Sequence, residues 1–281
     1  MKRRTIVYVM NRKTTDAQIN EAAEAAAQDQ NHLHCLLLAA LPSLPTYFYG
    51  GTAYGGVILP DNWSDIVANG KNELVERVDE VEKLLAKSAV SGDVQSAMCV
   101  SVDIKHHVAR AARVSDEVHF APNLRDTPEF FYEAAAGVLF HTPVGFRVNG
   151  AADLKCERVF IAWNSSDAAA SAVHAALPYL KEAKEVVIAC IDPVVTAEKD
   201  GQDPGTDVAA WLSHHGCNVT VSQFPSGGRN TARCIQDHAN EFGADLVVMG
   251  AYGHARMIQT VFGGTTQSML EQTDLPVLFA H

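Results

Sequence analysis

Ten short apolar runs alternate with stretches of helical periodicity along this 281-residue chain. That alternation constrains the fold more than any other feature. In the second half the runs are Arg158–Trp163, Glu185–Ile191, Cys217–Phe224, Asp245–Met249 and Leu275–Ala280. Between the first two, Ala169, Ala172, Val173, Ala176, Leu177 and Leu180 recur at helical spacing behind Ser166 and Asp167, a good N-cap and a first-turn acid. Asp207–His215, Thr231–Phe242 and Thr266–Gln272 read as the other helices, with Gly216 and Gly243 as stops. Several of the strands are continuously apolar. This implies a mostly parallel sheet covered by helices on both faces.

The first half repeats the order. Its strands are Thr5–Met10, His34–Leu41, Val94–Val102, Glu117–Ala121 and Val144–Val148. Its helices are Asp16–Gln30, Trp63–Ser88, Lys105–Val114 and Pro128–Phe140. The halves also end alike, Ala136–Val144 matching Met269–Val277 in pattern. A period near half the chain means a duplicated domain rather than a short-repeat solenoid. The boundary falls near 149–153, giving expected domains at 1–150 and 151–281, each a five-stranded α/β unit.

Composition narrows the partners. With 47% hydrophobic and 20% charged residues the chain suits a globular protein. The net charge of −11, without any Lys or Arg cluster, argues against nucleic acid or an anionic membrane. No apolar stretch approaches a membrane span, and the apolar run after Met1 is too short for a signal-peptide core. The six cysteines are scattered without a C-x-x-C, which suits reduced, mostly buried thiols in a cytoplasmic protein. No metal site is expected: His106-His107 and His214-His215 point apart on helices. His32 and His34 share a strand face, but no carboxylate is visibly placed to join them.

Ligand chemistry concentrates between Asp245 and Thr266. An apolar strand ends in Gly250; Gly253 and Gly263 follow, then Gly264, Thr265 and Thr266 open a helix. Glycines let backbone approach a ligand closely. Bare N–H groups at a helix N-terminus favour an anion. The run reads as a phosphate cradle. His254 and Arg256 lie within it, as candidate phosphate partners or as solvated side chains. The first half has Phe120-Ala121-Pro122-Asn123-Leu124 there instead, and it carries an aromatic and glycine-rich insertion, Pro42–Pro60, that suits a lid, an interface or a packed surface loop.

The spacing Gly250-x2-Gly253-x9-Gly263 after Asp-Leu-Val-Val-Met resembles the universal stress protein family, whose ATP-binding members carry G-x2-G-x9-G-(S/T). The likeness extends over the chain as a tandem pair, with the motif only in the second copy. It implies two adenine-nucleotide alpha hydrolase-like (Rossmann-like) domains and a cytoplasmic stress-response role. It further implies an adenine nucleotide, ATP or AMP, with or without Mg, in the C-terminal domain. Gly250 and Gly253 would lie against ribose and phosphate. Gly263, Gly264 and Thr265 would offer N–H groups, and Thr266 a hydroxyl. Met249 and Cys190 would flank the base, and Ala162 and Asn164 would close the pocket. The N-terminal domain would be a degenerate scaffold or a surface for a protein partner, and the halves would pack as an intramolecular pseudo-dimer, with a homodimer also open.

Two departures weaken the expected affinity. Asn164 stands where the family has Asp, and so loses a charge-assisted bond roughly twice as strong as a neutral one. Gly264 stands where it has Ser or Thr; the missing hydroxyl costs on the order of 1 kcal/mol, about five- to tenfold in affinity. No G-x-S-x-G elbow, Walker lysine or paired-carboxylate arrangement appears, so sensing is expected rather than catalysis. A relic site on an interaction module and a slow ATP hydrolase or self-phosphorylating protein are the alternatives.

Overall fold

The computed structural model describes residues 3–41, 61–151, 153–196, 198–251 and 264–281. Its elements run β1 (Thr5–Met10), α1 (Asp16–Gln28), β2 (His32–Ala40), α2 (Trp63–Lys87), β3 (Ser91–Cys99), α3 (Ile104–Ala112), β4 (Glu117–Phe120), α4 (Pro128–His141) and β5 (Gly145–Val148). The second half gives β6 (Arg158–Trp163), α5 (Asp167–Leu180), β7 (Glu185–Ile191), α6 (Thr206–His214), β8 (Val219–Phe224), α7 (Thr231–Phe242), β9 (Leu246–Gly250), α8 (Gly264–Glu271) and β10 (Val277–Ala280).

All ten strands join one sheet in the order β3-β2-β1-β4-β5-β10-β9-β6-β7-β8. Within each half every pairing is parallel and the order is the same, with the first strand of the half in the middle. The halves meet through β5 and β10, which pair antiparallel from Val148↔Val277 to Phe146↔Phe279. In the second half, residues on opposite pleats belong to different cores. Val159, Ile161, Trp163 and Cys190 pack with α5 and α6, whereas Phe160, Ala189, Val247 and Met249 pack with residues of α7 and α8.

Local signals explain most boundaries. Thr15 caps α1 in a reciprocal box with Gln18, Ser166 caps α5 through Ala169 N, and Gly243 ends α7 in the left-handed region at φ 70°. The third strand departs from expectation. It spans Ser91–Cys99, three residues earlier than its apolar pattern suggests, because His32 pairs with Ser91, and residues 101–103 have already turned 3₁₀ ahead of α3. The last strand begins at Val277 rather than Leu275, since Pro276 has no N–H to give the ladder; its carbonyl still accepts from Val247 N at 2.9 Å. All six cysteines are free and five are buried. Among the described residues no helix is long and apolar enough to cross a membrane.

Register also corrects the reading of His32 and His34. β2–β3 pairing puts Asp93 opposite His34, and the carboxylate receives both rings: Oδ1 lies 2.7 Å from His32 Nε2 and Oδ2 2.8 Å from His34 Nδ1. A carboxylate was therefore in place, one strand away and nearly sixty residues on. Both rings are spent on it, and no group of three such side chains among the described residues could hold a metal.

A buried ionic cluster ties the two halves beside their junction. Glu117 on β4 is 1% exposed. It accepts from Arg4 Nη1 at 3.1 Å, from Arg147 Nε at 3.2 Å and from the Tyr179 hydroxyl of α5 at 2.8–2.9 Å. His119 Nε2 sits 2.5 Å from Glu117 Oε1, while its Nδ1 faces Arg147 Nη2 at 3.2 Å. Arg147 Nε also reaches His119 Nε2 at 3.1 Å, so the guanidinium donates toward both ring nitrogens, which favours a neutral imidazole. Burial, then the Arg147 charge, push His119 down from 6.5 to about 4 against the pull of Glu117. Burial alone would raise Glu117; His119, Arg147 and Arg4 outweigh it and hold the carboxyl at about 2.

Both folded-state values lie below the ordinary ones, so in each window the unfolded chain binds more protons and stability rises with pH. The His119 contribution is complete above 6.5 and is lost as pH falls toward about 4. That of Glu117 is lost between 4.5 and about 2. Denaturant unfolding at a series of pH values should show stability falling from just below neutrality. A flat profile from pH 7 to 4 would contradict this account of the cluster.

Candidate functional site

In a doubly wound sheet, ligands bind at the carboxyl ends of the strands where the strand order reverses. In the second half that crevice lies between β6 and β9. Of the residues singled out from the sequence, Ala162, Asn164, Cys190, Met249, Gly250, Gly264, Thr265 and Thr266 are described; Gly253 and Gly263, with His254 and Arg256, lie outside the described residues, as does the Pro42–Pro60 insertion.

The register brings some of these together and separates others. Ala162 pairs with Met249 on one side and Ala189 on the other, so those three share a pleat. Cys190 is one residue on, opposite Trp163, and points to the other face. There its Sγ lies 3.1 Å from where a Cβ on Gly205 would stand, and burial raises the thiol to about 11. Met249 and Cys190 are thus on opposite sides of the sheet, and Ala189 is the β7 residue beside Met249. Single-strand reading could not find this, because a one-residue change of register swaps the faces.

Gly250 has a packing duty. A Cβ there would lie 2.5 Å from Ala169 N and 2.6 Å from Ala168 C, both backbone of the first turn of α5. Only glycine lets β9 and α5 approach so closely. Asn164 closes the turn into α5: its Oδ1 accepts from Ser166 Oγ at 2.7 Å, and Ser165 between them takes φ 56°. Gly264 is the opposite case. It opens α8, is exposed, and a Cβ there would meet no described residue within 4 Å. Thr265 is half-buried and Thr266 is 4% exposed.

One feature escaped the sequence reading. Trp163, at the end of β6, is 9% exposed, and its buried indole Nε1 has no hydrogen-bond partner among the described residues. An unpaired buried donor is costly. No pattern in the sequence distinguishes it from an ordinary core tryptophan.

The corresponding crevice of the first half, between β1 and β4, is closed by its own side chains. Thr14, 1% exposed, donates through Oγ1 to Asn123 Oδ1 at 2.9 Å, and Asn123 Nδ2 donates to Asn11 Oδ1 at 2.9 Å. Asn11 Oδ1 also accepts from Lys13 N. Where the second half has glycines, the first has Pro122 and a polar plug.

A family model described as "Universal stress protein family" matches residues 156–281. The C-terminal half is a universal stress protein domain. The fold likeness runs further than the sequence match. A universal stress protein from Archaeoglobus fulgidus DSM 4304 is 13% identical, with 99% of this chain and 98% of that chain covered at a TM-score of 0.64. A candidate universal stress protein from Pseudomonas aeruginosa UCBPP-PA14 is 15% identical, with 99% and 94% covered at 0.50. At such identities these likenesses speak for the fold. No curated protein matches the chain. Within the universal stress protein domain, the glycine-bearing loop is the one joining β9 to α8.

Proposed function

We propose that the universal stress protein domain binds an adenine nucleotide, ATP or AMP with or without Mg, at the carboxyl ends of β6 and β9. In this reading the protein serves the stress response in the cytoplasm by ligand-dependent stability or docking, not by turnover. One observation carries it: the loop with the family's glycine spacing leaves the sheet at the strand-order reversal and ends at the N-terminus of α8. The residues there suit such a group. No described residue stands within 4 Å of a Cβ on Gly264, which leaves room beside the helix start. Bound, the nucleotide would bring phosphate charge to the N–H groups of α8. The first half, with its plugged crevice, then acts as scaffold or partner-binding half, and the β5–β10 pairing as the intramolecular counterpart of a dimer contact.

Gly264→Ser tests the assignment at a position where no described residue stands within 4 Å of the added Cβ. It should tighten ATP about five- to tenfold in a calorimetric titration. An unchanged affinity would remove Gly264 from the site. A second reading, a relic site on an interaction module, draws on the structural duties of Gly250 and Asn164; thermal shift with ATP and AMP separates the two.

A further inference from the structure

Far from that crevice, a cavity of about 90 Å³ lies between α1 and the sheet at the junction of the halves. It has room for about three waters or one small organic molecule. Arg4, His119 and Arg147 line its floor, and Tyr179 of α5 closes one side. Gly150 continues the wall; a Cβ there would sit 2.7 Å from Arg147 Nη1.

The floor is cationic. Two guanidiniums, Arg147 buried and Arg4 19% exposed, share one buried carboxylate, Glu117, and the second carboxylate near Arg4, Asp116, is exposed to water. Arg4 spends only Nη1 and Nη2, on Glu117 and Tyr179, so most of its five N–H donors remain. Asn31, 6% exposed, also lines the cavity; its Oδ1 accepts from Arg4 N and its Nδ2 has no partner among the described residues. The rim has the opposite sign: Glu21 and Asp29, both exposed on α1, border the same cavity. A bare anion would suit the floor but meets two carboxylates on entry. A molecule carrying both charges satisfies floor and rim together.

We propose that this cavity is a second ligand site, for a small zwitterion of the α-amino acid class. Its carboxylate rests on the guanidiniums of Arg4 and Arg147 and the amide of Asn31, and its ammonium faces Glu21 and Asp29. The cavity is lined by α1 of one half and by Tyr179 of the other, so occupancy adds contacts across the junction.

The experiment is a thermal-shift and calorimetric series on the full chain with glycine, L-alanine, acetate and methylammonium, each at about 10 mM. Glycine or alanine should raise Tm and bind at least about tenfold tighter than acetate or methylammonium. Ala25→Leu, which puts a side chain into the cavity from α1, should abolish the shift. Glu21→Gln, on the exposed rim, should weaken glycine while leaving acetate unchanged or tighter. Acetate binding as well as glycine, binding that survives Ala25→Leu, or a crystal soaked in glycine that shows only water in the cavity would overturn the proposal.

Discussion

Glu117→Ala is expected to lower the free energy of unfolding by about 3–5 kcal/mol, the cost of leaving buried charge without its partner. The carboxylate is the common acceptor for Arg4, Arg147, His119 and Tyr179, and it is 1% exposed. Removing it leaves Arg147, itself 6% exposed, with only a neutral ring and the Ala151 carbonyl. The Arg4 and Tyr179 contacts join the two halves, so the loss should appear as a lower denaturant midpoint for the whole chain. The pair need not be stabilising relative to an apolar core, since replacing all its members at once can be neutral. Breaking it one-sidedly is what costs. A loss under about 1 kcal/mol in Glu117→Ala would mean that water reaches the cluster and that the burial argument is wrong.

Gly250→Ala should cost about 3 kcal/mol, the upper end of overpacking, because the obstacles are backbone atoms of α5 rather than a movable side chain. The added methyl would stand 2.5 Å from Ala169 N. Relief requires β9 and α5 to part, which also displaces Trp163 and the turn at Asn164. Gly264→Ala in the same motif should be neutral or slightly stabilising, since no described residue stands within 4 Å of the added methyl and alanine favours a helix. Urea unfolding of the two variants side by side checks this. Equal behaviour would contradict the division of labour between a packing glycine and an open one.

Periodicity made the fold legible to a large degree. Amphipathic and apolar repeats located the eight α-helices and ten strands of the described residues, and capping chemistry placed the start of α5 and the end of α7 well. The start of the third strand escaped because Ser91, Gly92 and Asp93 carry no apolar signal; their place comes from pairing with β2. The site was legible only as a loop. Glycine spacing marked where backbone comes close, but Gly250 comes close to α5, a contact between segments about eighty residues apart. The separation of Cys190 from Met249 depends on strand register, which no local pattern encodes. The buried cluster around Glu117 was invisible for the same reason: its members come from the residue before β1 and from β4, β5 and α5, and each alone looks like an ordinary polar residue.

We propose one nucleotide site per chain, kept in the second half of the duplicated fold and closed in the first. Isothermal titration of the full chain with ATP and with AMP tests it most directly. The expected result is one adenine nucleotide per chain, with binding lost in Gly253→Val and retained in a variant of the plugged crevice, Asn123→Ala. No heat at millimolar nucleotide, two sites per chain, or binding that survives Gly253→Val would contradict it.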